Sequence, residues 1–122
     1  MLRVAIAGFG VVGKRRKECL AKNPHVNVVA VCDRVLEGVS QLDDGTACYM
    51  EYTQLLGQEL DILFVCLPND MAAAVTIFGL ENGLHVFCEK PPGRSVAEVI
   101  EVAQISKERP EQKLMYGFNH RY

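Results

Sequence analysis

The sequence of 122 residues contains no apolar run approaching the roughly 20 residues that a membrane-spanning helix requires, which argues against a bilayer protein. It has no large excess of either charge. Lys and Arg number 13 and Asp and Glu 15, for a net charge of −2, whereas a nucleic-acid-binding domain is normally strongly basic. It has no CxxC pair. The five cysteines, Cys19, Cys32, Cys48, Cys66 and Cys88, are odd in number and widely spaced, which argues against a disulfide framework and against a metal site. The N-terminus, MLRVAIAGFG, lacks the longer apolar core and the cleavage site of a signal peptide. Cys32, Cys66 and Cys88 end apolar runs, so buried free thiols in a reducing cytoplasm are expected. No repeat, low-complexity segment or linker breaks the chain, and one domain over residues 1–122 is expected.

What is present is an alternation of apolar runs and helical patterns, the signature of a parallel sheet covered by helices. Strands are expected over Leu2–Ala7, Val26–Cys32, Thr46–Met50, Asp61–Leu67, Leu84–Cys88 and Lys113–Phe118. Helices are expected over 11–21, weakly over Val35–Leu42, as a turn over Tyr52–Leu56, and over Met71–Glu81. Asn69 or Asp70 is the expected cap of the last of these, with Gly83 just past its end. Ser95 and Glu98 fit a capping box opening a further helix, with Pro110 beyond it. The fold class is therefore α/β: a Rossmann-type doubly wound parallel sheet in three α/β/α layers, with strand order 3-2-1-4-5-6.

Gly8, Gly10 and Gly13 spell GxGxxG in GFGVVG, with Phe9, Val11 and Val12 between and beside them. The pattern follows a strand and opens a helix, the context that distinguishes a phosphate loop from an ordinary glycine-rich turn. Gly8 permits the tight turn, Gly10 lets a pyrophosphate approach the backbone, and Gly13 lets helix and strand pack closely. The helix then offers free N–H groups and a partial positive charge to the phosphates. Asp33 lies twenty residues after Gly13, at the end of the second strand. Its carboxylate can accept both ribose hydroxyls and repel a 2′-phosphate, which favours NAD over NADP. Arg34 points two ways, stacking on adenine or pairing with a 2′-phosphate. In the basic run 14–17, Arg16 shares the helix side of Val12 and Cys19 and can lean over the cofactor cleft, while the rest reads as a solvated face.

Taken together, AIAGFGVVG at 5–13, CDR at 32–34, CLPND at 66–70, GLHVFCEKPPG at 83–93 and GFNHRY at 117–122 resemble the N-terminal cofactor domain of the glucose–fructose oxidoreductase, inositol dehydrogenase and MocA family. The resemblance covers the chain from end to end. It implies that Gly8, Gly10 and Gly13 form the dinucleotide loop and that Asp33 and Arg34 occupy the adenosine-ribose position. Cys66, Leu67, Pro68 and Asn69 would line the nicotinamide ribose. Glu89, Lys90 and Pro91 match the EKP motif, whose lysine points at nicotinamide and substrate, and Asn119 would stand beside the nicotinamide. The sequence departs from the family pattern at Leu67, where a threonine is usual, and at Ala72 and Arg16, where histidines are usual.

The residues themselves agree on Lys90. It follows an apolar strand at the carboxyl edge, where open α/β sheets place ligands; its charge can stabilise a developing alkoxide, and desolvation would lower its pKa enough for proton transfer. Glu89 can pair with it or contact the cofactor. The alternative is a surface Glu–Lys pair before a proline turn. His25 and His85 read as structural, and His120 as part of the strand-end motif. The resemblance implies hydride exchange between a nicotinamide cofactor and a secondary alcohol of a sugar, nucleotide sugar or cyclitol. The competing class is a dinucleotide-sensing regulator without catalysis. It also implies a larger second domain carrying much of the substrate site, so the chain is expected to be part of an enzyme that is a homo-oligomer at full length, with neither membrane nor nucleic acid among its partners.

Overall fold

Valine, isoleucine and leucine concentrate in short runs, and each run becomes a strand. The structure, a computed structural model, describes residues 1–117. Strands β1 (Leu2–Ala7), β2 (Val26–Cys32), β3 (Ala47–Tyr49), β4 (Ile62–Val65), β5 (His85–Glu89) and β6 (Leu114–Gly117) form one parallel sheet of order β3-β2-β1-β4-β5-β6. This is the order expected of a doubly wound sheet. Pairing of β1 with β2 slips by one residue after Val4, so that Ala5 meets Ala30 rather than Val29. Asn119 and the rest of the GFNHRY segment after Gly117 lie outside the described residues.

Period-2 alternation within the strands divides the core between two faces. Ala5 and Ala7 of β1 and Leu63 and Val65 of β4 bury against Ala72, Val75 and Leu80 of α2 (Asn69–Glu81), with Val102 of α3 (Val96–Glu108) in the same cluster. Ile6 and Val31 face the other way, toward Phe9 and Leu36, with Leu20 of α1 (Val11–Leu20) packed beside them. Three layers result. None of the helices among the described residues is long and apolar enough to cross a membrane.

Local chemistry explains the ends. Helix α2 closes in a Schellman motif: Leu84 N–H donates to Gly79 and Gly83 N–H to Leu80, with Gly83 at φ +81°. At the start of α3, Ser95 Oγ accepts from Glu98 N–H at 3.3 Å. The reciprocal half of the expected box is displaced, because the Glu98 carboxylate accepts from Arg94 N–H at 2.6 Å and binds its guanidinium.

Two expectations are corrected. Asn69 and Asp70 do not cap α2. The helix begins at Asn69 with Pro68 at its cap position, and the Pro68 carbonyl accepts the first turn's N–H groups from Met71 and Ala72. The helix expected over Val35–Leu42 is a single 3₁₀ turn, Arg34–Leu36. After it the chain doubles back: Leu42 N–H donates to Thr46, Cys48 N–H to Ser40, and Gln41 bridges Ala47 in antiparallel fashion. Asp44 holds that bend by accepting from both the N–H and the hydroxyl of Thr46, at 3.0 and 2.7 Å. Short-range side-chain acceptors of this kind compete with helix and win in a segment too short to bury an apolar stripe.

Candidate functional site

The sheet reverses direction between β1 and β4. There the chain runs outward to β3 and then returns to the centre. Such a switch point opens a crevice at the carboxyl ends of the strands. The glycine loop sits at its mouth. Gly8 takes φ +98°, and a Cβ on it would stand 2.3 Å from the Cys66 carbonyl oxygen. A Cβ on Gly13 would stand 2.0 Å from the Gly8 oxygen. Neither glycine can gain a side chain without moving backbone. Gly10 is the opposite case, with nothing within 4 Å of where its Cβ would be. The loop is thus closed on the protein side and open on the ligand side.

Behind Gly10, α1 starts without a side-chain cap and without an acidic residue in its first turn. Val11 and Val12 at that start are both exposed. The first N–H groups of the helix therefore face outward, ready for an anion. Phe9 turns inward and is buried. Lys14 stands 5.8 Å over its ring, adding positive charge beside the loop.

Asp33 follows β2 and ties three pieces together. Its Oδ2 accepts from Phe9 N–H at 2.7 Å and its Oδ1 from Val35 N–H at 3.1 Å. The carboxylate thereby fixes the glycine loop against the end of β2 and keeps its remaining lone pairs for a hydroxyl-bearing ligand. Beside it opens a cavity of about 240 Å³. Met50, Tyr52, Leu67 and Met71 form apolar walls, and Asp33 and Arg34 stand at the polar rim. Apolar walls with a few polar groups at the rim suit a planar heterocycle attached to a ribose. Met50, Tyr52 and Met71 were not among the residues expected from sequence. Their signal was positional: each lies just beyond β3 or β4, at the same carboxyl edge as Asp33.

The far side of the crevice is built by the ends of β4 and β5. Cys66 is half-buried, and burial together with the Glu89 carboxylate pushes its thiol up to about 12. Cys32 is raised to about 11 by burial. Both stay protonated and act as packing groups rather than nucleophiles. Leu67 is half-buried against Gly8, while Pro68 and Asn69 are exposed at the start of α2. Glu89 does not pair with Lys90. It pairs with Arg16, which crosses from α1, and Arg16 is raised above its ordinary pKa chiefly by that hydrogen bond. Lys90 itself is exposed, one residue past β5, and its ammonium has no ion-pair partner among the described residues. The Lys90–Pro91 peptide is cis. His85 Nδ1 accepts from Lys113 N–H at 2.9 Å, a structural bond far from this edge.

The described residues singled out as cofactor-binding thus fall at one sheet edge in a single arc: Asp33 and Arg34, then the glycine loop, then Cys66 to Asn69, then Glu89 and Lys90. Along this arc lie an apolar cavity at one end, an uncapped helix start in the middle and an exposed lysine at the other end.

Comparison with known proteins points the same way. Residues 2–118 match the family described as an oxidoreductase family with an NAD-binding Rossmann fold. The chain is 34% identical to D-glucoside 3-dehydrogenase of Escherichia coli (strain K12) over 126 residues, covering 99% of the chain and 36% of that protein. Its fold superposes on a crystal structure of myo-inositol 2-dehydrogenase from Lactobacillus plantarum with a TM-score of 0.89 at 33% identity, covering 99% of the chain and 37% of that structure. The structure of scyllo-inositol dehydrogenase from Lactobacillus casei with bound cofactor NAD(H) and scyllo-inositol shares the fold, with a TM-score of 0.85 at 21% identity, over 99% of the chain and 37% of that structure. The chain spans little more than a third of the length of these relatives.

Proposed function

Since the chain belongs to the oxidoreductase family with an NAD-binding Rossmann fold, we propose that residues 1–122 are the dinucleotide-holding domain of a dehydrogenase acting on a secondary alcohol of a sugar, nucleotide sugar or cyclitol. The observation that carries this reading is the contrast within the glycine loop, closed at Gly8 and Gly13 and open at Gly10, at the mouth of a crevice that ends on Lys90. The α1 N-terminus and Gly10 hold the pyrophosphate. Asp33 accepts the adenosine-ribose hydroxyls, and the apolar cavity beside it takes the adenine. Arg34 stacks at the rim. Cys66 to Asn69 border the nicotinamide ribose. When bound, the nicotinamide supplies hydride acceptance and donation. Lys90 supports that exchange by donating a hydrogen bond from its ammonium to the alcohol oxygen, which stabilises the negative charge developing there. Asn119 is proposed beside the nicotinamide on resemblance alone.

The relatives' greater length leaves room for a second domain that chooses the substrate, and a homo-oligomer is proposed at that length. A reducing cytoplasm is the compartment that five unpaired cysteines favour.

Calorimetric titration of the chain with NAD(H) and NADP(H) tests the cofactor assignment. Tighter binding of NAD(H) is expected because the Asp33 carboxylate repels a 2′-phosphate; a preference for NADP(H) would show that Arg34 governs the pocket. In the full-length protein, Lys90→Met is expected to lower hydride-transfer turnover at least about 100-fold while leaving cofactor affinity near wild type. Unchanged turnover would remove Lys90 from the chemistry and favour a dinucleotide-sensing regulator.

A further inference from the structure

Between α1 and the end of β5 lies a charged pair that the assignments above leave without a task. The Nε and Nη2 groups of Arg16 both donate to Oε1 of Glu89. The two side chains are only 24% and 13% exposed. The guanidinium lies 5.4 Å over the Phe87 ring, which in turn stacks on Phe64 at 4.9 Å. The second carboxylate oxygen is turned to β6, where a Cβ on Gly117 would stand 3.0 Å from it. Aromatic stacking below and backbone beside it hold the pair in place.

The pair's position gives it a consequence. Asp33 and its cavity fix the adenosine end, and the glycine loop fixes the phosphates, so the ends of β4 and β5 remain for the nicotinamide. Glu89 and Arg16 stand there, with Lys90 one residue on and the Cys66 thiol, kept neutral, adjoining them. Oxidised and reduced nicotinamide differ by one positive charge on the ring. An unpaired carboxylate at this edge favours the oxidised, cationic ring; an unpaired guanidinium disfavours it; a closed pair does neither. In a site this shielded, such a preference is weakly screened by salt.

We infer that Arg16 is a positioning residue that acts through Glu89: by neutralising that carboxylate beside Lys90, it sets the balance of affinity between NAD⁺ and NADH, and with it the redox poise of the bound pair. The inference rests on the proposed nicotinamide placement. It also gives the departure at Arg16 a role, since an arginine remains charged at any physiological pH.

The test is titration of the 122-residue chain with NAD⁺ and with NADH, reading the ratio of the two affinities. Arg16→Gln is expected to shift the ratio toward NAD⁺ about tenfold, and Glu89→Gln to shift it toward NADH by a similar factor. The double variant should return to within about threefold of wild type, and Arg16→Lys should hold the wild-type ratio. Thermal melts accompany each titration. Should Arg16→Gln fail to fold, the opposite shift in Glu89→Gln and its reversal in the double variant carry the test alone. A packing role predicts the same proportional loss for both cofactor forms in every variant, and an unmoved ratio overturns the inference while leaving the dinucleotide reading intact. If the wild-type chain binds neither form, the dinucleotide reading fails and the inference goes with it.

Discussion

The two ends of the crevice are held by different physics. At the glycine loop the constraint is steric: backbone touches backbone at Gly8 and Gly13, and Asp33 pins the loop by two hydrogen bonds. At the β5 end the constraint is electrostatic: side chains from α1 and β5 meet across a sheet edge, and the key lysine stands exposed. Gly8 and Gly13 tolerate no added atom. The second region tolerates changes of shape and responds to changes of charge. Adding atoms at Gly8 or Gly13 should therefore cost stability, whereas replacing charges in the second region should alter ligand preference.

The largest effect is expected at Gly8. Gly8→Ala combines a positive φ with a Cβ pressed against the Cys66 carbonyl, and about 4 kcal/mol of stability should be lost. Urea unfolding measures it. A loss below about 1 kcal/mol would show that the loop relaxes and that the steric account is wrong.

Gly10→Val breaks the same loop without touching its packing. Its φ of −82° suits any residue, and the space above it is empty. Stability should stay within about 1 kcal/mol of wild type, while NADH affinity falls at least about 100-fold because the valine fills the phosphate approach. Circular dichroism melts paired with calorimetry separate the two quantities, and wild-type affinity in a folded variant would place the phosphates elsewhere.

Asp33→Ala removes the acceptor of the Phe9 and Val35 N–H groups. A cost of about 1–2 kcal/mol is expected, together with a narrowed discrimination between NADH and NADPH. Chemical denaturation and competitive titration read the two effects. Retained discrimination would shift the specificity to Arg34.

The smallest effect compares adjacent residues of α1. Lys17 pairs with Asp44 as Arg16 pairs with Glu89, but the Asp44 side chain is 53% exposed. Lys17 and the Thr46 hydrogen bonds hold the Asp44 carboxyl well below its usual range. A depressed carboxyl contributes stability above its unfolded pKa and loses it as pH falls toward the lowered value. Wild type should therefore exceed Asp44→Asn by less than about 1 kcal/mol at pH 7, given solvent screening. That difference should shrink as pH drops below about 4. A difference independent of pH would assign the effect to the turn hydrogen bonds rather than to the charge.

The sequence was most legible where local chemistry and local structure coincide. Strand β2 matched its expected limits because VNVVAVC has one plausible state, and the strand order followed from alternating elements and handed crossovers. The crowding at Gly8 and Gly13 was legible because each position requires the absence of one atom. Val35–Leu42 was misread because an apolar pattern alone does not reveal that Asp44 and Thr46 bend the chain back. The α2 cap was misread because Asn69 has the right chemistry, but Pro68 already supplies the acceptor. The cavity walls Met50, Tyr52 and Met71 were missed because they come from separate segments and only their position past β3 or β4 marked them.

By itself the sequence determined the α/β class, the glycine loop between the first strand and helix, the acidic residue twenty positions on and the lysine after the fifth strand, since each depends on residue type and short spacing. Only the tertiary structure decided that Asp33 grips the glycine loop, that an apolar cavity opens beside it, and that Glu89 belongs to Arg16 rather than to Lys90. Those are contacts between residues 24 and 73 positions apart. No local pattern encodes them, because which charge meets which is settled by where the sheet edge and α1 come to rest.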